Sequence, residues 1–535
     1  MQDFTFNPKD DSWLKNRGYL HITKKWNVKN KRAEIYSKLQ DRNFIAKHAF
    51  FPLLHAVIKE RKYKKHPETK ERSHVHKSGT DRKVEHKPTA KKRPLHYATH
   101  IDALIFSFYS AWLIELYEKK LQSDEELHNA IIAYRKIPQS IENPKGKSTI
   151  HFAKEAFDEI KLRANDGCIV LMFDIESFFS SLNHKKLKAA WVDLLHAPTS
   201  SGNVQRTLPP DHYNVFKACT HFNYILKDQL RLKQCKIGRR EGFDETKLAA
   251  IRKNHGVEAF FSDPAEFRDE LKNKKLQVFS KQFMKNGQQI GIPQGLPISA
   301  VLANLYLLEF DCSIIDDLVK DKQCFYRRYS DDILIICKPD QKDEIERIVI
   351  EKIDKADLVI SKHKTETFYF NKNDILKGKR LTYLGFEFDG ENAFVKSANL
   401  ARFYRRMIHA VKIKAERAVK LAFADNTKPF IFKSRLVKLY KRVDLDSERE
   451  KPFKIKRLVK GRNGLYVYKE KTVDPKDLKE YKPKKSNYIT YMKKATDTIG
   501  SGKIFNQIKN RKAIFHKAMS HHLKRLKAKY AELYS

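Results

Sequence analysis

The chain has 535 residues, 41% of them hydrophobic, enough for several domains and a large packed core. Lys and Arg number 108 against 65 Asp and Glu, a formal charge of +43, which calls for a polyanionic partner, either nucleic acid or an anionic membrane. The sequence shows no run of 18 apolar residues and no signal-peptide pattern, so nucleic acid in the cytoplasm is expected and no membrane; six cysteines without a CxxC pair exclude a zinc ribbon and a disulfide frame.

Residues 59–93 carry fourteen Lys or Arg, four His and five acids with almost no apolar residue. That composition predicts an exposed, mobile basic loop, and its histidines lack metal-ligand spacing. Ile101 to Leu121 is apolar and aromatic with a helical period, which predicts an amphipathic helix. Cys168 to Phe173 is an unbroken apolar run, as in a strand buried on both faces, and Asp174 ends it. Between Gly287 and Asp311, Gly291, Pro293, Gly295 and Pro297 predict a rigid turn, with Ser299 as the N-cap of a following helix. Tyr326–Tyr329 and Ile333–Cys337 predict two short strands joined at Ser330–Asp331.

From Ala401 onward the chain reads as helical and basic, with 38 Lys and Arg against 12 acids, a net +26. Phe403, Met407, Val411 and Ala415 fall on one helical face, and Ile504, Ile508, Phe515 and Met519 on another, leaving the basic residues for other faces. Each such helix taken alone is a solvated charged face over a core; the summed charge points to backbone phosphates.

Asp331 and Asp332 are like charges set between two segments that want burial. A hairpin turn accounts for one such pair. A divalent metal accounts for it differently, because hard cations take carboxylate oxygens and keep open positions for substrate phosphates. That reading needs a third carboxylate, and Asp174 at the end of its strand supplies one; the bland alternative is an Asp capping the next helix. Two metal ions roughly 3.5–4 Å apart can clamp the attacking and leaving oxygens of a phosphoryl displacement. Gly295 lets a base or sugar approach the backbone, and Gln294 can both donate to and accept from a base or ribose edge.

Taken together, these stretches resemble the palm motifs of reverse transcriptases. "DIESFF" (Asp174–Phe179) is similar to the first catalytic motif, "GIPQGLPISAVLANLYL" to the motif that positions nucleotide and template, and "YSDD" (Tyr329–Asp332) to the YxDD hairpin. "LVISKHKTETF" and "LTYLGFEF" resemble the downstream palm loop and the primer-gripping hairpin. "KKRPLHYATHIDALIFSFYSAWLIELYE" and "AYRKIPQSIENPKGKSTIHFAKEAFDEI" resemble the finger motifs of bacterial group II intron and retron enzymes. With the second finger stretch counted as the continuation of the first, six pieces in the right order over about 300 residues make a far more specific signal than any one motif.

The resemblance implies an α+β right-hand polymerase of fingers, palm and helical thumb. It implies RNA-directed DNA synthesis from dNTPs with two Mg²⁺ ions, an RNA template and a DNA product. Asp174 and Asp331 would ligate the metals, with Ile175 beside Asp174 among the metal-holding positions and Asp332 supporting. Phe179 would be the gate beneath the incoming sugar that excludes a 2′-hydroxyl. Arg93 would meet the triphosphate, Lys364 would protonate the leaving pyrophosphate, and Gln294 and Gly295 would line the nascent base pair. Lys92, Arg135, Tyr329, Arg405 and Arg406 would lie on nucleic acid.

The domains expected are an N-terminal helical region with the basic loop (1–90), fingers and palm (91–395) and a thumb with a basic helical extension (396–535). Asp174 and Asp331 are 157 residues apart, long for the family, which predicts an insertion near 196–280. The chain lacks HNH-like residues after the thumb. It is most similar to the phage-defence reverse transcriptases of the abortive-infection and unknown-group kind, which implies a partner non-coding RNA, homo-oligomers, and primer-independent or protein-primed synthesis. The alternatives are a group II intron or retron-type enzyme, an untemplated or DNA-templated polymerase using the same palm, and an RNA-binding scaffold with a dead palm. The intact carboxylate set argues against the last.

Overall fold

In the computed structural model the chain is described except for residues 1–5, 7–10, 29, 61–63, 66–71, 74, 79–84, 141, 197–206, 233–258, 262, 281–282, 373–378, 425–428, 430, 432–435, 437–438, 442–452, 461–465, 474–485 and 535. The fold mixes α and β and divides into two compact units, Met1–Arg135 with Val170–Thr367, and Lys136–Ile169 with Phe368–Ser535.

The first unit opens on an antiparallel ribbon. Strand β1 (Leu53–Glu60) pairs with β2 (Lys91–Tyr97), from Leu54 opposite Tyr97 to Glu60 opposite Lys91, and Tyr224–Leu226 lies parallel on the other edge of β1. Lys64–Lys65 pairs with Arg72–Ser73, and Val75–Ser78 with Glu85–Pro88. The described part of 59–93 is therefore strand, not the loop its composition predicts. A two-stranded ladder closes its backbone hydrogen bonds without demanding an apolar face, so a stretch poor in apolar residues can still be strand.

Helix α1 (His100–Gln122) is N-capped by Thr99, whose side chain accepts the Asp102 N–H. It is buried at every position from His100 to Ser110. Its first half is thus all-round core, while from Ala111 on only Trp112, Leu113, Tyr117 and Leu121 are buried and Lys119 and Lys120 are exposed, the amphipathic pattern that the sequence predicts. Strand β3 (Cys168–Asp174), helices α2 (Ser299–Tyr306) and α3 (Leu308–Ile314), and strands β4 (Phe325–Tyr329) and β5 (Asp332–Cys337) build the rest of this core. The strands lie in the order β4–β5–β3. Ile333 to Cys337 are all buried, and so are Cys168 to Leu171, which is why both segments read as continuous apolar runs rather than alternating ones. Ser299 does not cap its helix: it is the first helical residue, and its buried hydroxyl donates to the Pro293 carbonyl at 2.6 Å, tying helix to turn. Of the region predicted as an insertion, the described residues include the helices Pro210–Thr220 and Pro264–Lys272; 197–206 and 233–258 lie outside the described residues.

The second unit holds a meander of β6 (Leu381–Tyr383), β7 (Phe386–Phe388) and β8 (Ala393–Val395). Leu384 and Gly385, with φ of +46° and +91°, make the two-residue turn between the first two strands, as a type I′ turn requires. Phe388 stacks on Phe157, ring centroids 4.6 Å apart. Next come α4 (Ser397–Ala424), a hairpin of β9 (Phe453–Lys460) and β10 (Tyr466–Val473), and helices α5 (Tyr488–Ile499) and α6 (Arg511–Tyr534). The hairpin corrects the expectation that everything past Ala401 is helical. "FKIKRLVK" alternates apolar with basic residues only at its start and "YVYKEKTV" does not alternate, so the lysine-rich sequence gives little strand signal. The second predicted helical stripe is also broken: Ile504 sits in a short helix, Gly502–Asn506, that stops before α6 begins.

Among the described residues no helix is long and apolar enough to cross a membrane. Five cysteines are free thiols, four of them buried and Cys312 half-buried; Cys235 lies outside the described residues.

Candidate active site

Strand β3 ends at Asp174, and the next backbone amide, of Ile175, donates to the Asp331 carbonyl at 3.2 Å. One hydrogen bond thus joins the end of β3 to the tip of the β4–β5 hairpin. On its other side Asp174 accepts the Ser361 N–H through its carbonyl at 2.8 Å, and Ile175 bridges Ile360. The Asp174 carboxylate, about one-fifth exposed, takes the Lys364 ammonium at 2.5 Å. Burial pushes the Asp331 carboxyl above its ordinary range and the Asp174 charge adds to that, while its own backbone amide, Ser330 and Lys364 pull the other way. Two carboxylates that repel one another, one already facing an ammonium, form a donor set that fits a hard divalent cation. Ile175 is buried and has only its main-chain carbonyl to offer.

Asp332 is placed differently. It opens β5 opposite Tyr329, and its charge is one cause of the raised Tyr329 hydroxyl, after burial and Tyr134. Among the described residues no three His, Cys, Asp or Glu side chains converge on one point. Asp174 and Asp331 meet where the strand end joins the hairpin tip, and Asp332 opens β5 directly after them.

The hairpin tip is fixed from beneath by a network that sequence reasoning missed. Arg328 and Asp311 are both fully buried, and the guanidinium grips the carboxylate with two bonds of 2.7 and 2.5 Å. The Tyr326 hydroxyl donates to the same carboxylate at 2.6 Å. The remaining Arg328 nitrogen donates to Asn304 Oδ1 and to the Ser330 carbonyl, each at 3.2 Å. Burial pushes the Asp311 carboxyl up, and Arg328 opposes it. Ser330 has φ +61°, the left-handed first position that a two-residue hairpin turn of the II′ kind needs; here it is held by Arg328 at its carbonyl and by Tyr134 at its hydroxyl, 3.3 Å away. The available signal was slight: Arg328 beside Arg327 in a strand, and Asp311 closing "LLEFD", since buried charges come paired.

The turn and the sugar-gate candidate are laced together. Phe179 lies half-buried in the short helix Phe178–Ser181, and its carbonyl accepts the Ile292 N–H at 2.7 Å. Gly291, at φ +74°, donates to the Leu182 carbonyl, and a Cβ there would sit 2.5 Å from the Ser180 carbonyl oxygen. Further along, the Gln294 carbonyl accepts the His96 N–H of β2 at 2.8 Å. Gly295 is a glycine because of that contact: at φ +113° its Cβ would lie 2.6 Å from the His96 carbonyl oxygen. The close approach of β2 leaves no room for a side chain at this position. Lys92 and Arg93 lie on β2 three to four residues away, about 10 Å along the strand. Both are exposed, and Arg93 faces Glu60 at 3.5 Å.

Arg135 is not available to nucleic acid. Its side chain is 2% exposed, forked on Glu118 with two 2.8 Å bonds and bonded to the His128 and Ile131 carbonyls. Burial and a carboxylate partner make it a brace for its own turn. Tyr329 is half-buried; Arg405 and Arg406 are exposed on α4 in the second unit.

Residues 242–388 match the family model "Reverse transcriptase (RNA-dependent DNA polymerase)". The chain carries a reverse transcriptase domain. The matched segment holds the turn at Gly291–Pro297, the hairpin with Asp331 and the Lys364 segment; Asp174 precedes it. No curated protein matches the sequence. Among solved structures, the apo telomerase of Candida tropicalis truncated from its C-terminal domain is 11% identical at a TM-score of 0.34, covering 60% of this chain and 54% of that one. The Candida albicans telomerase in complex with a TWJ fragment of telomeric RNA is 11% identical at a TM-score of 0.31, covering 74% and 58%. The chain thus spans little more than half the length of these telomerases.

Proposed function

We propose that the chain is an RNA-directed DNA polymerase of the right-hand kind, with Asp174 and Asp331 as its catalytic carboxylates and Asp332 supporting them. The observation that carries the reading is the hydrogen bond from Ile175 to Asp331, which brings a strand-end carboxylate and a hairpin carboxylate together around the Lys364 ammonium. Two Mg²⁺ ions held there would stabilise the charge developing on the attacking and leaving oxygens. Lys364 is positioned to hold a proton near the departing pyrophosphate, and its present bond to Asp174 keeps that ammonium at the site. Phe179, laced to Ile292, closes the sugar side, and Arg93 and Lys92 supply charge for the triphosphate and the strand. The resemblance to phage-defence enzymes supports a non-coding RNA as the natural template.

The test is incorporation of labelled dNTPs by the purified chain on an RNA template with a DNA primer. Wild type should extend in a template-dictated order with a divalent metal, and Asp331→Asn should be inactive while melting no lower than wild type. Incorporation that ignores template sequence, or an Asp331→Asn variant as active as wild type, would sink the assignment. In the same assay Phe179→Val should admit ribonucleotides; unchanged dNTP preference would place the gate elsewhere.

A further inference from the structure

Tyr134 adjoins the catalytic hairpin, where only its hydroxyl, on Ser330, has been given a role and its ring has none. The residue is 48% exposed, yet its backbone neighbours are held tightly. The φ of +62° is a left-handed conformation that an aromatic residue adopts at a cost. The Ala133 carbonyl accepts the Asn304 amide at 2.9 Å, the Ile132 N–H donates to the Arg328 carbonyl at 3.1 Å, and Arg135 is buried on Glu118. One flank of Tyr134 is therefore pinned to the network that fixes the hairpin, and the other is held by the buried Arg135 on Glu118. The ring lies 6.4 Å from the Tyr329 ring, tilted by 42°, and its hydroxyl reaches Ser330, the residue before Asp331. Burial does not explain the strain, because half of the residue stays in solvent. Strain kept at a half-exposed aromatic beside a catalytic tip is the mark of a presented surface.

We propose that Tyr134 is a stacking platform for the nucleobase at the growing end of the product strand. The inference rests on the polymerase reading and adds a residue to it. A rigid ring holds a base by its face whatever the base is, which suits a polymerase that must accept all four. Sequence reading passed over it for its neighbour Arg135, whose charge made it the more obvious contact.

The test uses the full chain, an RNA template and a DNA primer carrying 2-aminopurine at its 3′ end, titrated without dNTP. Wild type should quench the probe. Tyr134→Phe should behave like wild type, because it keeps the ring and loses only the hydroxyl. Tyr134→Gly should melt at or above the wild-type temperature, since glycine accepts the positive φ, yet lose the quenching and weaken primer–template binding roughly tenfold with the KM for dNTP unchanged. The proposal is overturned if Tyr134→Phe fails as badly as Tyr134→Gly, which would make the hydroxyl a latch. It is overturned too if Tyr134→Gly keeps quenching and affinity, or if it melts well below wild type, which would make the ring structural. A wild type that binds and quenches through Tyr134 but never extends would instead count against the polymerase reading alone.

Discussion

Arg328 and Arg406 each lie close to a residue given a role here, and they are held in opposite ways. Arg328 has no exposure, and its guanidinium bonds Asp311, Asn304 and Ser330 beneath the hairpin tip. Arg406 stands exposed on α4, next to Met407, which is buried. In that second region the order comes from an apolar seam. Met407 and Val411 pack with Phe515 and Met519, Ala415 and Val419 with Leu526, and Phe423 lies 5.9 Å from Tyr530, so α4 and α6 run side by side in the same direction. One region spends buried charge on fixing a few atoms. The other leaves charge outside and lets nonpolar packing hold the frame. Chemistry at a metal needs the first arrangement, because a small displacement of a carboxylate removes a ligand. Holding a polyanion needs only the second, because counterion release depends on charge and not on exact position.

The comparison breaks most visibly at Arg328. Arg328→Met leaves Asp311 buried with only Tyr326 for a partner, and removing one member of a buried pair costs about 3–5 kcal/mol. The orphaned carboxyl should then carry a folded-state pKa further above its unfolded value. That loss is greatest at neutral pH, and the variant should regain stability as pH falls through the raised folded pKa, the opposite of ordinary acid denaturation. Melting temperatures from pH 5 to 8 read this directly; a pH-independent deficit would show that Asp311 is not the cause. The double variant Asp311→Leu with Arg328→Met should recover much of the stability, since apolar replacement of a buried pair is often neutral. It should stay poor in DNA synthesis, because Ser330 has lost its anchor. Full activity in the double variant would reduce the network to a stability device.

The seam answers to a different perturbation. Phe515→Ala empties a buried site between α4 and α6 and should cost about 3 kcal/mol, with no pH dependence of its own. Calorimetry that finds less than about 1 kcal/mol would mean that the two helices are held by something other than this seam.

The same contrast explains what was legible in the sequence. Apolar periodicity is a local signal, so β3, β5, the hairpin and the stripe Met407–Val411–Ala415 were all readable. Asp174 stood out as the acid that closes an apolar run, and Asp331 with Asp332 as a pair of like charges between two strands. The partnership of Arg328 with Asp311 was not, because it joins a strand to a helix, and nothing in either segment names the other. Gly295 was readable as a special position, but its contact with the His96 oxygen was not, since that oxygen lies in a distant segment. The ribbon at 59–93 and the hairpin at 453–473 were missed alike, because lysine-rich strands with few apolar residues offer little period-two pattern to read. Arg135 was misjudged because charge was taken as exposure, and a turn that needs its carbonyls satisfied had already claimed it.

The smallest effect sharpens the comparison on the basic side. Cutting the chain near Val395 is not a clean way to remove α4 and α6, because Gln507 exchanges two hydrogen bonds with Val395, and Ser501 two with Ala393. Point changes avoid that. Arg405→Ala and Arg406→Ala remove exposed charge without touching the seam, so each should move stability by no more than about 0.5 kcal/mol. If both side chains meet phosphates, each loss should also flatten the dependence of log affinity on log salt by about 0.7 to 0.9. The expected result is therefore a protein that melts like wild type, extends a saturating primer–template at the wild-type rate, and binds RNA more weakly with a shallower salt slope. An unchanged slope in the double variant would remove α4 from the RNA-holding surface and leave its charge as the solvated face of an ordinary packed helix.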